Sequence, residues 1–450
     1  MTRRGFPNVA HVGLLGGWVA AVLAARVPIR DNSFLWHVTA GRLQTDLGSV
    51  LQTDPFSFTF SGEPWLTQSW LVELGYGWLD RRFGLGFVPW LVGGVGLAVF
   101  GLVGLISYKA AGLLPAVGAI VLSAWLGVAY LSPRPVLFSY LFFAVLIAID
   151  SDDRLRWSAP LVLWVWAGVH GSFAIGLAYL VLSALRRRVV KDVRIVVASL
   201  IAVTVTAHGL GAWRILLDFV ASREALDFIT EWAPPRFATP RMVPFVAGLV
   251  LMLAAAARGR LKVRDLWVGG PFIALGLTSQ RSVFPAWLAL VPLVALGLTT
   301  RRSVGQPSGI QTVINWVLVA AILVLPFIAR GGPLLDEKRF PVAAAATLTS
   351  DRVFHDDVVG GYLIYSQWPE RQVFVDDRAE LFGAEFYRRF VNARSGRVGW
   401  EELFGDYAIA EALLRVEDPL VASLTNAGWS SIHQDDSFVV LTAPHADPTS

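Results

Sequence analysis

Apolar runs recur along the first three quarters of the chain, near 9–29, 84–107, 113–131, 136–149, 158–169, 172–185, 194–208, 242–257, 266–279, 283–298 and 311–329. A helix of about 20 apolar residues crosses the hydrocarbon core of a bilayer. The pattern therefore predicts a polytopic helical membrane protein with about 11 spans, some of them short. Two stretches, 158–185 and 266–298, can be single long spans or pairs hinged at His170-Gly171 and at Ser279-Gln280-Arg281-Ser282. Charge decides between them. With hinges, the basic loops "RRRVVKDVR" (186–194), "RGRLKVRD" (258–265) and "TTRR" (299–302) fall on one side, together with Arg3, Arg4, Lys109, Arg154 and Arg156. Cytoplasmic loops carry the excess of Lys and Arg, so the hinged reading puts the N-terminus in the cytoplasm and the C-terminus outside. Thr2-Arg3-Arg4 and the apolar residues after it have the outline of a secretory signal, but Arg26 is a poor cleavage context and further spans follow. The run is read as a retained span.

Between the runs lie two large outer loops, 30–83 and 208–241, within a membrane domain of residues 1–329. In the first, Trp65, Trp70, Leu71, Leu74 and Trp78 recur at roughly helical spacing, which predicts a helix lying in the membrane interface. Glu73 then reads as an exposed residue of that helix. The second carries "ITEWAPPRFATP", whose prolines forbid regular helix. From 330 to 450 the periodicity changes. Short β-prone runs, "RVFHD", "RQVFVDD", "YAIAEALL" and "SFVVLTA", alternate with helical stretches near 379–394, 398–406 and 417–427. That alternation predicts a small extracytoplasmic α/β domain at the C-terminus.

Composition supports this division. Hydrophobic residues make up 55% of the chain and charged residues 16%, against roughly 25% charged in soluble globular proteins. Residues 334–450 hold 19 acidic and 10 basic side chains, whereas the remainder holds 15 and 28. The positive charge sits in short loops between apolar runs, a pattern of membrane topology and not of nucleic-acid binding. With no cysteine, disulfides, thiolate metal sites and cysteine nucleophiles are excluded.

The topology gathers the polar residues of the membrane domain on one face. Asp31 and His37 follow the first run, Arg134 lies in "SPRP", His170 and Arg281 are the hinges, His208 ends the seventh run and Glu231 sits in the second outer loop. Ionisable groups at the edge of the hydrocarbon are costly unless they face a cavity or one another. Arginines and an acid in an outer cavity suit a substrate with a lipid tail and a phosphate head. Arginine pairs with phosphate and stabilises charge on a phosphate leaving group. A carboxylate can take a proton from an acceptor hydroxyl, or help to hold a divalent cation. In the tail, Asp356-Asp357, Asp376-Asp377 and Asp435-Asp436 read first as turns and caps, with Asp376 and Arg378 as candidates to face the cavity and recognise the acceptor.

"RDNSFLWHVTAGRLQTDLGSVLQTDPFSF" (30–58) resembles the first outer loop of the GT-C superfamily of glycosyltransferases, which use lipid-linked sugars and include protein mannosyltransferases and oligosaccharyltransferases. Asp31, Phe34, Trp36, Ala40, Arg42 and Gly48 carry the resemblance. "DPFSFTFSGEPW", "WVWAGVHGSF", "ITEWAPPRF" and "GGYLIYSQWPERQVFVDDRAELFG" also look like a group of uncharacterised bacterial multi-pass membrane proteins. Gly360-Gly361-Tyr362 is loosely similar to the segment that opens the oligosaccharyltransferase soluble domain. The resemblance implies hexosyl or pentosyl transfer from a polyprenyl-phosphate sugar at the plasma membrane to a glycan or protein acceptor, with Asp31 as catalytic acid/base. His37, Arg134, His170, Glu231, Arg281, Asp376 and Arg378 are then candidates for substrate binding. The one cofactor candidate is a divalent cation. Asp31 is followed by Asn32-Ser33, "SPRP" lacks an acid, and Val358-Val359 stands where the family has Trp-Asp. These departures argue against a metal site of the oligosaccharyltransferase kind and against recognition of a peptide sequon. The rival expectations are a non-catalytic scaffold of the same fold in envelope assembly and a lipid or solute transporter.

Overall fold

The eleven apolar runs all form helices. In the computed structural model, which describes residues 9–214, 217, 232–299, 309–328, 334–397 and 399–444, they are α1 (Val9–Ala25), α4 (Val88–Ala111), α5 (Leu113–Gly127), α6 (Val136–Asp150), α7 (Ala159–Ala167), α8 (Phe173–Arg187), α9 (Val190–Thr204), α10 (Val243–Ala257), α11 (Leu266–Thr278), α12 (Val283–Leu298) and α13 (Gly309–Ile328). Among the described residues, four helical stretches are long and apolar enough to cross a membrane: Trp70–Ala111, Leu113–Tyr130, Pro240–Ala257 and Gln280–Leu298. Leu15–Ala25 and Val136–Asp150 are shorter apolar helices. The chain divides into two compact units.

The first unit takes the described residues of 1–27, 85–213 and 229–332. α12 is its hub, buried along most of its length. Lipid gives no hydrophobic drive for helix association, so close packing and buried hydrogen bonds must supply it. Both are present. Trp287 on α12 donates its indole N–H to Ser123 on α5 at 2.7 Å, and Trp166 on α7 donates to Ser139 on α6 at 3.0 Å. At one end of the bundle, Arg187 forks onto both carboxylate oxygens of buried Asp150 (2.6 and 2.9 Å) and reaches Asp192 at 2.8 Å. α7 stops at Ala167 and α11 at Thr278, so the helices break at the polar hinges.

The second unit is built mainly from two distant stretches, 28–84 and 333–450. The first supplies α2 (Asn32–Leu47) and α3 (Trp70–Phe83). The second supplies the strands β1 (Val353–His355), β2 (Glu411–Arg415), β3 (Ser430–Gln434) and β4 (Phe438–Thr442), with helices α14 (Asp357–Gln367), α15 (Ala379–Arg394), α16 (Trp400–Asp406) and α17 (Pro419–Asn426). The sheet order is β1-β2-β4-β3, with β1 parallel to β2 and the other pairs antiparallel. Chain segments from both stretches pair directly: Ile29 bridges Leu335, and Ser57 bridges Val373.

Two expectations are corrected here, and one strand is added. "RQVFVDD" is not a sheet strand, because its Val373 is taken by the single bridge to Ser57. The sheet is completed instead by β3, a polar edge strand without the alternation that marks half-buried strands. Trp65 precedes α3 and is buried, so it does not share an interface face with Trp78, which is 62% exposed.

One buried side chain makes the second unit sensitive to acid. His355 is enclosed, its Nδ1 donating to the Asp356 carbonyl at 3.0 Å while its Nε2 accepts from the Phe374 N–H at 3.1 Å. A second ring proton would have to face that N–H. Burial lowers its pKa to about 4, against partial compensation by Asp356 and Asp376. The unfolded chain binds this proton below about pH 6.5 and the folded chain only below about 4, so stability falls as pH drops through that window. The loss approaches about 3 kcal/mol at the acid end. Thermal unfolding of the detergent-solubilised protein between pH 4 and 7 checks this. His355→Gln is expected to flatten the slope, and an unchanged slope would assign the acid sensitivity to other groups.

Candidate functional site

In the second unit the site is built outwards from α2 and α3. Both helices carry a polar residue one turn before a glycine, His37 before Gly41 and Glu73 before Gly77. A Cβ on Gly41 would overlap the Glu73 carbonyl, and one on Gly77 would overlap the Gly41 and Arg42 backbone. The glycines thus let the two backbones touch, and the neighbouring turns bring the polar side chains together. Glu73, expected to be exposed, is 0% exposed. Its Oε1 lies 2.7 Å from His37 Nδ1 and accepts from Thr67 Oγ1 at 2.6 Å, while its Oε2 accepts from Gln44 Nε2 at 2.6 Å. The His37 ring stacks beside Trp36 at 3.6 Å between centroids. One turn further on, Arg42 pairs with buried Asp80, which also accepts from Tyr365 at 3.1 Å.

Asp31 is the N-cap of α2, accepting from the Phe34 N–H at 3.4 Å. The rest of this first turn is tied to the C-terminal stretch. Asn32 donates to the Asp357 carbonyl at 2.9 Å and accepts from the Tyr362 N–H at 3.1 Å. Ser33 donates to Asp377, whose other oxygen accepts from Trp36 Nε1 at 2.8 Å. The close approach again needs glycine: a Cβ on Gly361 would overlap the Asn32 carbonyl, and one on Gly360 the Val375 carbonyl. Asp357 sits beside Asp356 and Asp377. Desolvation, then the hydrogen bond and charge of Asp356 and the charge of Asp377, hold its carboxyl well above the usual carboxylate range.

Asp376 and Arg378 do not open onto a cavity. Both side chains are fully buried. Arg378 grips Asp376 with Nε and Nη2 (2.7 and 2.6 Å) and Asp54 with Nη1 (2.7 Å). Its guanidinium lies over Trp65, Phe56 and Trp36 at 4.5, 5.3 and 5.7 Å from the ring centroids. Burial alone would lower its pKa, but Asp376 and Asp54 outweigh that and raise it. Asp54 in turn accepts from the Phe56 and Ser57 N–H groups at 3.0 and 3.1 Å, fixing the loop between α2 and α3.

The first unit holds the other described candidates. Tyr130, between α5 and α6, donates to the Gln280 carbonyl at 2.9 Å, and Arg241 lies over its ring at 4.2 Å. Next to Gln280, Arg281 lies over Trp232 at 5.4 Å. Arg134 follows Tyr130 by four residues, its N–H 3.4 Å from Ser132 Oγ. His170 closes its own hinge, its Nδ1 accepting from the Ser172 N–H at 3.1 Å. Glu231 lies outside the described residues. Asp31, His37, Asp376 and Arg378 thus fall in one unit, and Arg134, His170 and Arg281 in the other. Sequence reasoning missed Glu73, Asp54 and Asp377. Only for Glu73 was there a local signal, the matched four-residue spacing to glycine on both helices.

No family model and no curated protein matches the chain. Among solved structures it is similar to the oligosaccharyltransferase of Archaeoglobus fulgidus. The apo form aligns with a TM-score of 0.57 at 11% identity, over 96% of this chain and 75% of that one. The chain shares the fold of that enzyme over most of its length. The same enzyme tethered through a disulfide bond to an acceptor peptide containing the NVT sequon gives 0.56 at 11% identity, over 92% and 70%. Its complex with Zn and sulfate gives 0.52 at 11% identity, over 89% and 68%. Among the described residues, four helical stretches have the length and apolarity to cross a membrane. No three His, Asp or Glu side chains among the described residues are grouped to hold an ion.

Proposed function

We propose that this protein is a GT-C-type glycosyltransferase of the plasma membrane that moves a sugar from a polyprenyl-phosphate donor to an extracytoplasmic glycan or protein acceptor. In this reading eleven spans place the N-terminus in the cytoplasm and the second unit outside. The observation that carries it is the seat of Asp31. On a GT-C fold, the acid that the family resemblance singles out caps the helix directly after the first apolar run. Its carboxylate engages the acceptor hydroxyl, as base or as orienting group. The acceptor oxygen bonds to the anomeric carbon, the bond from that carbon to the phosphate oxygen breaks, and the electron pair leaves on the phosphate. No covalent enzyme intermediate forms. Arg281 and Arg134 hold the phosphate and offset its growing charge, and His37 and His170 position substrate. Asp376 and Arg378 serve the acceptor side from beneath, by fixing the loop between α2 and α3. No step is routed through a metal.

Asp31→Asn is a clean test, because asparagine caps a helix as well as aspartate does but cannot take a proton. The expected result is accumulation of lipid-linked sugar and loss of the envelope glycan, equal to that in a deletion strain. Normal glycans in the Asp31→Asn strain, with loss in the deletion, would favour a non-catalytic scaffold. The absence of an Asp-x-Asp at Asp31 is the observation on that side.

A further inference from the structure

Glu73 and His37 are more elaborate than a cross-link between two helices requires. Three donors, His37 Nδ1, Thr67 Oγ1 and Gln44 Nε2, converge on one fully buried carboxylate. Thr67 and Gln44 donate to the carboxylate, and His37 completes the set when its ring proton sits on Nδ1, which leaves the Nε2 lone pair pointing away from Glu73. Among the described residues Nε2 has no hydrogen-bond partner, and it is not enclosed, the side chain keeping 9% of its surface exposed. Trp36 packs against the ring at 3.6 Å between centroids with a 32° tilt, which restricts its rotation. A buried acid on one nitrogen, with the other nitrogen open and its ring restrained, is the arrangement of an oriented proton acceptor.

We infer that His37 and Glu73 form a proton-accepting dyad, with His37 Nε2 taking the proton of a substrate hydroxyl and Glu73 holding the tautomer and offsetting the imidazolium charge. Asp31 caps α2 and His37 lies six residues on, about 9 Å along the axis and about 120° around it, so a shared ligand has to wrap the first turns of the helix. The inference rests on the glycosyltransferase reading and divides its labour: Asp31 orients the acceptor through a neighbouring donor group, and His37 removes the proton of the attacking hydroxyl. The O–H bond breaks to Nε2 as the oxygen bonds to the anomeric carbon, and the phosphate leaves with the electron pair of the broken C–O bond. The proton later passes from Nε2 to water.

Two measurements test it. The first needs no substrate: diethyl pyrocarbonate labelling of the purified full chain in detergent, read residue by residue by mass spectrometry with His433 as internal reference. His37 is expected to be carbethoxylated in the folded protein. Glu73→Gln, which keeps an acceptor for Nδ1 but removes the charge, should slow that labelling roughly fivefold relative to His433. An unlabelled His37, or an equal rate in Glu73→Gln, would reduce the dyad to a packing cross-link. The second compares strains. His37→Gln, present in the membrane at wild-type level, should accumulate lipid-linked sugar as Asp31→Asn does. Normal glycans in His37→Gln beside blocked Asp31→Asn overturn the dyad alone. A deletion strain that accumulates no lipid-linked sugar overturns the glycosyltransferase reading itself.

Discussion

Arg378→Met is expected to destabilise the second unit by about 3–5 kcal/mol, the cost of stranding buried charge. Methionine fills much of the volume that arginine occupies against Trp65, Phe56 and Trp36, so packing is largely kept. What changes is charge: Asp54 and Asp376 are left facing a neutral side chain in a site with no water to solvate them. The loop between α2 and α3 is held to residues 373–378 by the Arg378 bonds, the Ser57 bridge and the Thr59 bond to the Phe374 carbonyl, so the charged part of that fastening goes at once. Arg389, which pairs with Asp406 at the surface with both side chains more than 40% exposed, is the control. Arg389→Met should change stability by less than about 1 kcal/mol. Adding Asp54→Asn and Asp376→Asn to Arg378→Met should recover much of the loss, because it is the orphaned charges that cost. Thermal unfolding in detergent compares the four proteins. Equal midpoints for Arg378→Met and Arg389→Met would mean that the buried triad does not hold the loop.

The second large effect is expected from a single methyl group. Gly77→Ala and Gly41→Ala each place a Cβ inside the backbone of the opposite helix. Backbone cannot rotate aside as a side chain does, so α2 and α3 must part. Overpacking of this kind costs about 1–3 kcal/mol or more, and here it also pulls Glu73 off His37. Gly75 is on the same helix, and a methyl group there would meet nothing within 4 Å. Gly75→Ala should stabilise α3 by about 0.5–1 kcal/mol, the ordinary preference of a helix for alanine over glycine. Loss of His37 labelling and a lower unfolding midpoint in Gly77→Ala, with neither in Gly75→Ala, is the expected pattern. If the two variants behave alike, helix propensity governs the pair and contact does not.

How much of this is legible in the sequence follows from the range of the interactions. The helices of the first unit can be read because an apolar run reports its own environment, and the breaks at His170 and Arg281 because a polar hinge interrupts each run. β1, β2 and β4 are visible as β-prone runs. β3 is not, since "SSIHQ" is an edge strand with mostly exposed side chains. Asp31 stands out by position alone. The partners that give its helix a setting do not: Ser33 meets Asp377 across 344 residues, and Arg378 meets Asp54 across 324. No periodicity encodes a contact of that length. Glu73 escapes because a glutamate on a surface-like helix is usually solvated, and only the glycine four residues on, matched by one on α2, marks the face as a contact. Arg378 misleads in the opposite sense. A charged residue after a run of acids looks like surface chemistry, and the enclosing aromatic rings come from the far end of the chain.

The long-range stitching of the second unit also governs when it can exist during synthesis. Ser33 has left the ribosome long before Asp377 is made; at roughly 5–20 residues per second the wait is about 20–70 s. On the proposed topology, α2 and α3 stand outside the bilayer throughout that interval without Gly360, Gly361 and Arg378 to close over them, their aromatic residues exposed to chaperones and proteases. A nascent chain halted after α13 should therefore be cut within 30–83, while one released after residue 394 should resist. The early loop depends on the late one for its survival as well as its shape.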